Sequence, residues 1–336
     1  MGNLLPYCLS YVIPALTLWG ITSLGGWTYS GFIFAFFIHP FFDALFGKDT
    51  NSQDRNLTFK PVYDFLVLAY LPVQVLIFHH VFIHYLNHAF SLFELTGTIL
   101  SLGTMTGATG ITIAHELIHR KKPLERGIGI SLLLMVNYAH FRIEHVFGHH
   151  KHVGTFRDPA TARKGENLYR FWFRSIVGGL ISAWKIEMKR LGSKSFIFNR
   201  AFLYLLAQIF ISLFIYFFYG KISFIVFILQ SFVAIITLET INFIEHYGLE
   251  RKEISPGQYE PVAFQHSWDS SQKMTNWFLF NLGRHAHHHF APNVCYEELE
   301  TKNHHRKLKY GYSTHLVLAF FGIYPKLDDQ NDSNFK

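Results

Sequence analysis

The sequence predicts an all-α integral membrane protein, one membrane-embedded domain over residues 1–336, with about six transmembrane helices and a histidine-rich site at one end of the bundle. Composition is the first reason. Half of the 336 residues are apolar, 36 are Phe and only 16% are charged, against roughly 25% charged in a soluble domain. The second is a set of apolar runs long enough to cross the hydrocarbon, about 20 residues each. The third is histidine, which crowds into "IAHELIHR", "IEHVFGHHKHV" and "NLGRHAHHHFAP".

The runs at 4–24, 27–46, 63–83, 92–114, 199–219 and 222–243 meet that length. The first has no basic start and no small-residue cleavage site, which reads as a permanent span rather than a signal peptide. A seventh run, "GIGISLLLMVNYAHF" at 127–141, is short for a span. It reads as a helix at the membrane interface or one packed inside the bundle. The stretches 115–198 and 244–325 hold the histidine clusters outside the hydrocarbon. No internal repeat or low-complexity linker divides the chain, and the tail "DDQNDSNFK" reads as frayed. Cys8 and Cys295, the only cysteines, make neither a disulfide framework nor a CxxC metal ribbon.

Lys and Arg set the orientation. The turns "GG" at 25–26 and "HYLNHAFS" at 84–91 carry no charged residue, and the turn near Gly220 carries only Lys221. The opposite side carries Lys48, Arg55 and Lys60, then Arg120, Lys121 and Lys122. The basic stretch from Arg163 to Lys194 follows, and then Lys302, Arg306, Lys307 and Lys309. The positive-inside rule places both termini and all three clusters on the cytoplasmic side. The net charge of +7 therefore reads as orientation plus a docking face, and nucleic acid is not an expected partner.

His115 and His119 are four apart, so a helix puts both on one face. Taken alone, "HELIH" also fits a zinc protease with Glu116 as base. His145, His149 and His150 form the second cluster, and His285, His288 and His289 the third. Each offers an i,i+3 or i,i+4 pair plus an adjacent imidazole. Eight neutral imidazoles exceed the roughly four ligands of one tetrahedral zinc. They suit two ions, and imidazole serves iron, copper, zinc or nickel. His246, ending the sixth run in "INFIEHYGLER", is a ninth candidate. Metal-bound imidazoles usually give their far N–H to a carboxylate or carbonyl. Glu116, Glu144, Asp158, Glu239 and Glu245 suit that role, with Arg284 to balance them. His79, His80, His84 and His88 fall on the opposite side and read as interfacial.

With these boxes the chain resembles the membrane-bound non-haem diiron desaturases and hydroxylases. Within them it is similar to the bacterial alkane monooxygenase branch, which also holds the xylene-type aryl-methyl monooxygenases. The resemblance rests on "HPFFDALFGKDTN" (39–51), "HELIHR" (115–120), "EHVFGHHKHVGTFRDPATAR" (144–163), "NFIEHYGLER" (242–251) and "NLGRHAHHHFAP" (281–292). "EHYG" discriminates best, because desaturases share the histidine boxes. The resemblance implies two non-haem iron ions held by His115, His119, His145, His149, His150, His246, His285, His288 and His289. It implies that one atom of O2 enters an unactivated terminal methyl group and the other leaves as water. The substrate, an n-alkane foremost, would enter from the lipid of a bacterial inner membrane. Box three departs from the family's RHSDHH: His287 stands for an acid, which leaves open which three of its four histidines bind. His152 likewise stands where an acid is common.

Neither a CxxC pair nor a GxGxxG stretch is present. The resemblance therefore implies a separate rubredoxin, or a ferredoxin-type donor as in the aryl branch. Segments 163–194 and 302–309 offer a dock for such acidic carriers or a face for anionic lipid headgroups. A fatty-acyl desaturase or hydroxylase would use the same boxes. A zinc protease has no use for the further histidines, and a metal transporter would need polar residues along the spans, which show few. Finally, Ala35 stands between bulky neighbours in "GFIFAFFIHPFFD" and shares a helical side with Phe32, His39 and Phe42. Either it leaves room for an alkyl chain, as the resemblance suggests for this helix, or it permits close helix contact.

Overall fold

The computed structural model describes residues 4–49, 60–301 and 306–323; Arg55, Lys302 and the acidic tail lie outside them. Helix α1 (Leu5–Ser23) begins as a 3-10 stretch and becomes α-helical at Val12. Leu24 and Gly25, both at positive φ, turn the chain into α2 (Gly25–Phe46). Within α2, Phe34–Ile38 widens into a π turn. Pro40, two residues past its end, lacks the N–H that an α-helix would direct at Phe36. After α3 (Lys60–Asn87) comes α4, helical over 92–119, with a π segment at Met105–Ile111. A capping box starts α4: the Glu94 N–H donates to Ser91 Oγ at 3.2 Å and the Ser91 N–H to Glu94 Oε2 at 3.0 Å.

The remaining helices are α5 (Pro123–Leu134), α6 (141–152), α7 (Leu168–Leu191), α8 (Arg200–His246), α9 (Lys273–Phe278), α10 (His285–Phe290) and α11 (Tyr312–Phe320). Two small ribbons join the loops near the histidines. β1 (Glu253–Ser255) pairs antiparallel with β2 (Gln258–Tyr259), and β3 (Trp268–Asp269) pairs parallel with β4 (Arg306–Lys307).

Among the described residues four segments, α1, α2, α3 and α8, are long and apolar enough to cross a membrane. α8 is two limbs. Gly220 sits at φ 80°, ψ 174°, a conformation open to glycine. Asn137 donates to Ser231 Oγ at 3.0 Å and accepts from Ser212 at 3.5 Å. A straight helix would part those two serines by about 28 Å, so the chain reverses at Gly220, where the sequence places a turn. α4, expected as a span, is a continuous helix rich in Gly, Ser and Thr and largely buried among the others.

α4 is the hub because its glycines admit α8. A Cβ on Gly103 would meet Val233 Cβ at 2.4 Å, and one on Gly107 would meet Ala234 Cα at 3.0 Å. Small residues let apolar helices approach this closely. Between the same helices Thr106 donates to Gln230 Oε1 at 2.8 Å, and Gln230 donates on to the Met135 carbonyl at the end of α5 at 3.1 Å. The short 127–141 run belongs to the interior: Gly129 of α5 packs on Ala114 and Leu117 of α4. That packing holds the end of α4 in place, and with it His115 and His119.

Candidate metal centre

Four helices meet at one end of the bundle. α4 brings His115 and His119, α6 brings His145, His149 and His150, the last turn of α8 brings His246, and α10 brings His285, His288 and His289. Ring nitrogens of His115, His119, His145, His150 and His288 lie within 4.8 Å of one another, and so do those of His149, His246, His285 and His289. Adjacency explains this sorting. Neighbours on a helix point about 100° apart, so His149–His150 and His288–His289 each give one imidazole to each group.

Local geometry corrects one expectation. His145–His149 is a π turn, which brings residues five apart into line. His145 therefore faces His150, Nε2 to Nε2 at 3.0 Å, while His149 faces His289 at 3.2 Å. The pair in this cluster is i,i+5 rather than i,i+4. In α10 the i,i+4 pair survives, with His285 and His289 at 3.0 Å, while His288 turns to His150 at 3.1 Å. His287 takes a different path, its Nδ1 accepting the Glu300 N–H at 2.8 Å.

The donor set suits metal. His289 Nε2 faces Nε2 atoms of both His149 and His285, and the Nε2 atoms of His115 and His119 are buried with no partner among the described residues. Burial first, then the neighbouring imidazoles, hold His145, His150, His285, His288 and His289 well below the usual histidine pKa. They stay neutral, with lone pairs converging where a cation would satisfy them. Five nitrogens in one group and four in the other exceed one tetrahedral zinc and match two imidazole-liking ions.

The acids named from sequence divide. Asp158 Oδ2 receives the His149 Nδ1–H at 2.8 Å and a hydrogen bond from the Thr161 hydroxyl, while Oδ1 accepts the Ala160 N–H. Burial would raise Asp158, but His149 and these hydrogen bonds outweigh it and pull the carboxyl below its ordinary value. Glu245 Oε2 lies 3.2 Å from His285 Nε2 and its other oxygen accepts from Tyr312 at 2.7 Å. Glu239 instead accepts from Tyr138 at 2.7 Å and Ser175 at 2.5 Å. Glu144 is buried under Gly148, its Oε1 without a hydrogen-bond partner among the described residues. Glu116 accepts from Arg120 at 3.0 Å, and Arg120 goes on to Asp64. Arg284 balances Asp49, at 2.9 Å, and donates to the Leu299 carbonyl, a role distinct from balancing the buried acids. Sequence reasoning missed the His266 carbonyl, which accepts the His246 Nδ1–H at 3.3 Å, and Tyr312. Neither carries a local signal, because each reaches the site from a distant loop or helix.

A narrow apolar cavity is walled in part by the helices that carry His115 and His246. Its wall includes Ala35, Phe36, His39, Thr112, Ile241 and Tyr312. Thr112 is one turn before His115, and Tyr312 is the residue bonded to Glu245. Ala35 and His39 share this wall as expected, but Phe32 and Phe42 are not among its residues; the π turn rotates α2 and brings in Phe36 instead.

Residues 92–317 match the fatty acid desaturase family. Alkane 1-monooxygenase 1 of Pseudomonas aeruginosa is 36% identical over 305 residues, covering 87% of this chain and 79% of that protein. This chain belongs to the alkane monooxygenase branch of the fatty acid desaturase family. Alkane 1-monooxygenase of Acinetobacter baylyi is 34% identical over 331 residues, 92% of this chain and 80% of its own. The xylene/toluene monooxygenase hydroxylase component XylM of Pseudomonas putida is 24% identical over 299 residues, 86% of this chain and 79% of its own. As a member of this branch the protein is an oxygenase, and its apolar helices make it a membrane protein.

Proposed function

We propose that this alkane monooxygenase family member hydroxylates the terminal methyl group of a hydrophobic substrate, an n-alkane foremost, with O2 and electrons from a separate rubredoxin-type carrier. The observation that carries the reading is the pair of histidine groups on helices that also wall an apolar cavity. His115, His119, His145, His150 and His288 would hold one iron, and His149, His246, His285 and His289 the other. Bound there, iron supplies the activation of O2 that no side chain can provide.

The protein's own part is positional. Asp158 fixes the tautomer and tilt of His149, and the His266 carbonyl does the same for His246. The apolar cavity wall excludes water and selects by shape, since a methyl group offers no polar handle. We place the chain as one membrane-embedded unit of six spans in a bacterial inner membrane, with termini and histidines in the cytoplasm, on the Lys and Arg distribution. Kinship with the xylene enzyme keeps an aryl methyl group as the second substrate class.

Whole cells expressing the protein with a rubredoxin and its reductase test the reading. They would be offered octane, hexadecane, xylene and a fatty-acid ester, with products identified by mass. Primary alcohols from the alkanes support it, and benzylic alcohol alone selects the aryl reading. A desaturated or hydroxylated ester as the sole product overturns it.

A further inference from the structure

We infer that a small acidic one-electron carrier protein seats on the loop face built from residues 151–164 and 248–266 with Arg306, and passes its electrons inward through His246 and His149. This rests on the function proposed above and names where its carrier docks. Backbone hydrogen bonds knit the two loops into one surface. The Gly248 N–H donates to the Ala162 carbonyl at 3.0 Å, and the Arg251 N–H to the Gly154 carbonyl at 2.8 Å. The Arg251 side chain adds a bond to the Lys151 carbonyl at 3.0 Å. With Arg306 these loops carry seven Lys and Arg against four acids, and one of those acids, Asp158, is buried. Lys151, Arg157, Arg163, Lys164 and Lys252 are exposed. Two large apolar side chains stand among them: Phe156 is 65% exposed, with the Arg163 guanidinium 5.2 Å from its ring centre, and Ile254 is 70% exposed. Exposed apolar groups among charges of one sign suit a protein partner of the opposite sign.

Hydrogen bonds join this face to the second histidine group. A recess of about 410 Å³ is lined by Lys164, Lys252, Arg306 and His266, and by Glu250 and Glu260 as well. The His266 carbonyl accepts the His246 Nδ1–H at 3.3 Å. A smaller recess is lined by Phe156, Arg163 and Thr161. Thr161 donates to Asp158 Oδ2, which also receives the His149 Nδ1–H. His149 and His246 both belong to the group of four nitrogens, so both bonded routes inward end at the same place. Electron-transfer complexes bury little surface, under about 1,200 Å², so a compact face suffices. Lys185 and Lys189 stand roughly 25 Å or more beyond the start of α7; their field would steer a carrier without touching it. Each visit oxidises the carrier by one electron. Two visits, with two protons, take O2 and R–CH3 to R–CH2OH and H2O in the proposed reaction.

The test uses the full chain, loaded with iron, in lipid nanodiscs, with a rubredoxin of net negative charge as the probe. A carbodiimide, which joins carboxylates to lysine amines, should link the probe to Lys164 and Lys252 of the unaltered protein, a map that no folding defect can blur. Binding is read separately as a dissociation constant. Lys164→Glu with Lys252→Glu should weaken it about tenfold at low salt, the factor that 1.4 kcal/mol makes, and the gap should close as salt rises. Ile254→Ser should weaken it at every salt concentration, because an apolar contact is not screened. Iron content should hold in both variants. Without O2, ferric His119→Ala, which keeps the second group whole, should still oxidise reduced rubredoxin, and His149→Ala should not. Links confined to Lys185 and Lys189, or a dissociation constant that both variants leave unmoved, overturn the docking face. So does loss of binding to phosphatidylglycerol vesicles with rubredoxin binding intact, which would make it a lipid contact. The reverse order of the two histidine variants overturns the route. Octane left unhydroxylated by the unaltered protein would instead sink the proposed function, a separate result.

Discussion

His145 and His150 meet Nε2 to Nε2 at 3.0 Å across a π turn, while His149, one residue before His150, turns to His289 at 3.2 Å. One helical segment thus serves two nitrogen groups. Mutations should therefore act on one group at a time. His119→Ala removes a nitrogen from the first and His149→Ala from the second. Each should lower bound iron from about two per chain toward one and abolish hydroxylation, while circular dichroism keeps its helical signal. Iron measured by plasma mass spectrometry decides. Stoichiometric zinc with full activity would refute iron as the resident metal.

Asp158 and Glu116 were both named as partners of metal-bound imidazoles, and the structure separates them. Asp158→Asn should weaken iron affinity or turnover by about 10–100-fold, the usual cost of losing a carboxylate behind a metal-bound histidine. Glu116→Gln breaks an ion pair with Arg120 instead. Thermal stability should drop while iron per folded chain holds. Equal iron loss in both variants would place Glu116 at the metal after all.

Ala35 lines the cavity, and a larger side chain there should fill it. Ala35→Trp is expected to shorten the longest accepted alkane by several carbons while short substrates are still hydroxylated. If Ala35 matters only as a helix contact, overpacking costs about 1–3 kcal/mol, and activity on every length falls together. A product profile over octane to hexadecane distinguishes the two.

The basic face of α7 is narrower than its sequence suggests. Arg190 donates to Glu187 at 2.8 Å and Arg200 to the same carboxylate at 2.6 Å, which leaves Lys185 and Lys189 as the exposed lysines of α7 for a carrier. Reversing both to Glu should raise the apparent KM for the carrier and leave iron content unchanged. Turnover should fall with salt, because exposed charges are screened over about 10 Å at 0.1 M. Salt-independent turnover in the parent, with no response to reversal, would move the dock elsewhere.

Glu187 itself is a strut between α7 and α8. Burial works against its charge, but hydrogen bonds from Arg200 and Arg190 hold its carboxyl down at about 2. A depressed carboxylate stabilises the fold above its ordinary pKa, and that contribution is lost as pH falls through the folded value. The strut should therefore be intact above about pH 4.5 and fade toward pH 2. Glu187→Gln should cost about 1–3 kcal/mol at neutral pH, read as a lower Tm, and should flatten the acid limb of the stability curve.

Much was legible in the chain itself. Apolar length announces the helices, and Gly220 marks the reversal of α8 because few other residues adopt its backbone conformation. The nine histidines declare themselves by crowding in a sequence otherwise suited to lipid, and Asp158 lies nine residues from the His149 it contacts, within one local motif. What the sequence could not state is which imidazole joins which group. That depends on a π turn at His145–His149, a matter of one extra residue per turn that a spacing rule built on 3.6 residues cannot register. Nor could it state that Tyr312 would reach Glu245, or that Ser313 would brace His39 from 274 residues away. Those contacts exist only because the end of the chain packs back onto α2 and α8. Side chains that meet across such distances leave no periodic trace, since their pairing is decided by the packing of whole helices.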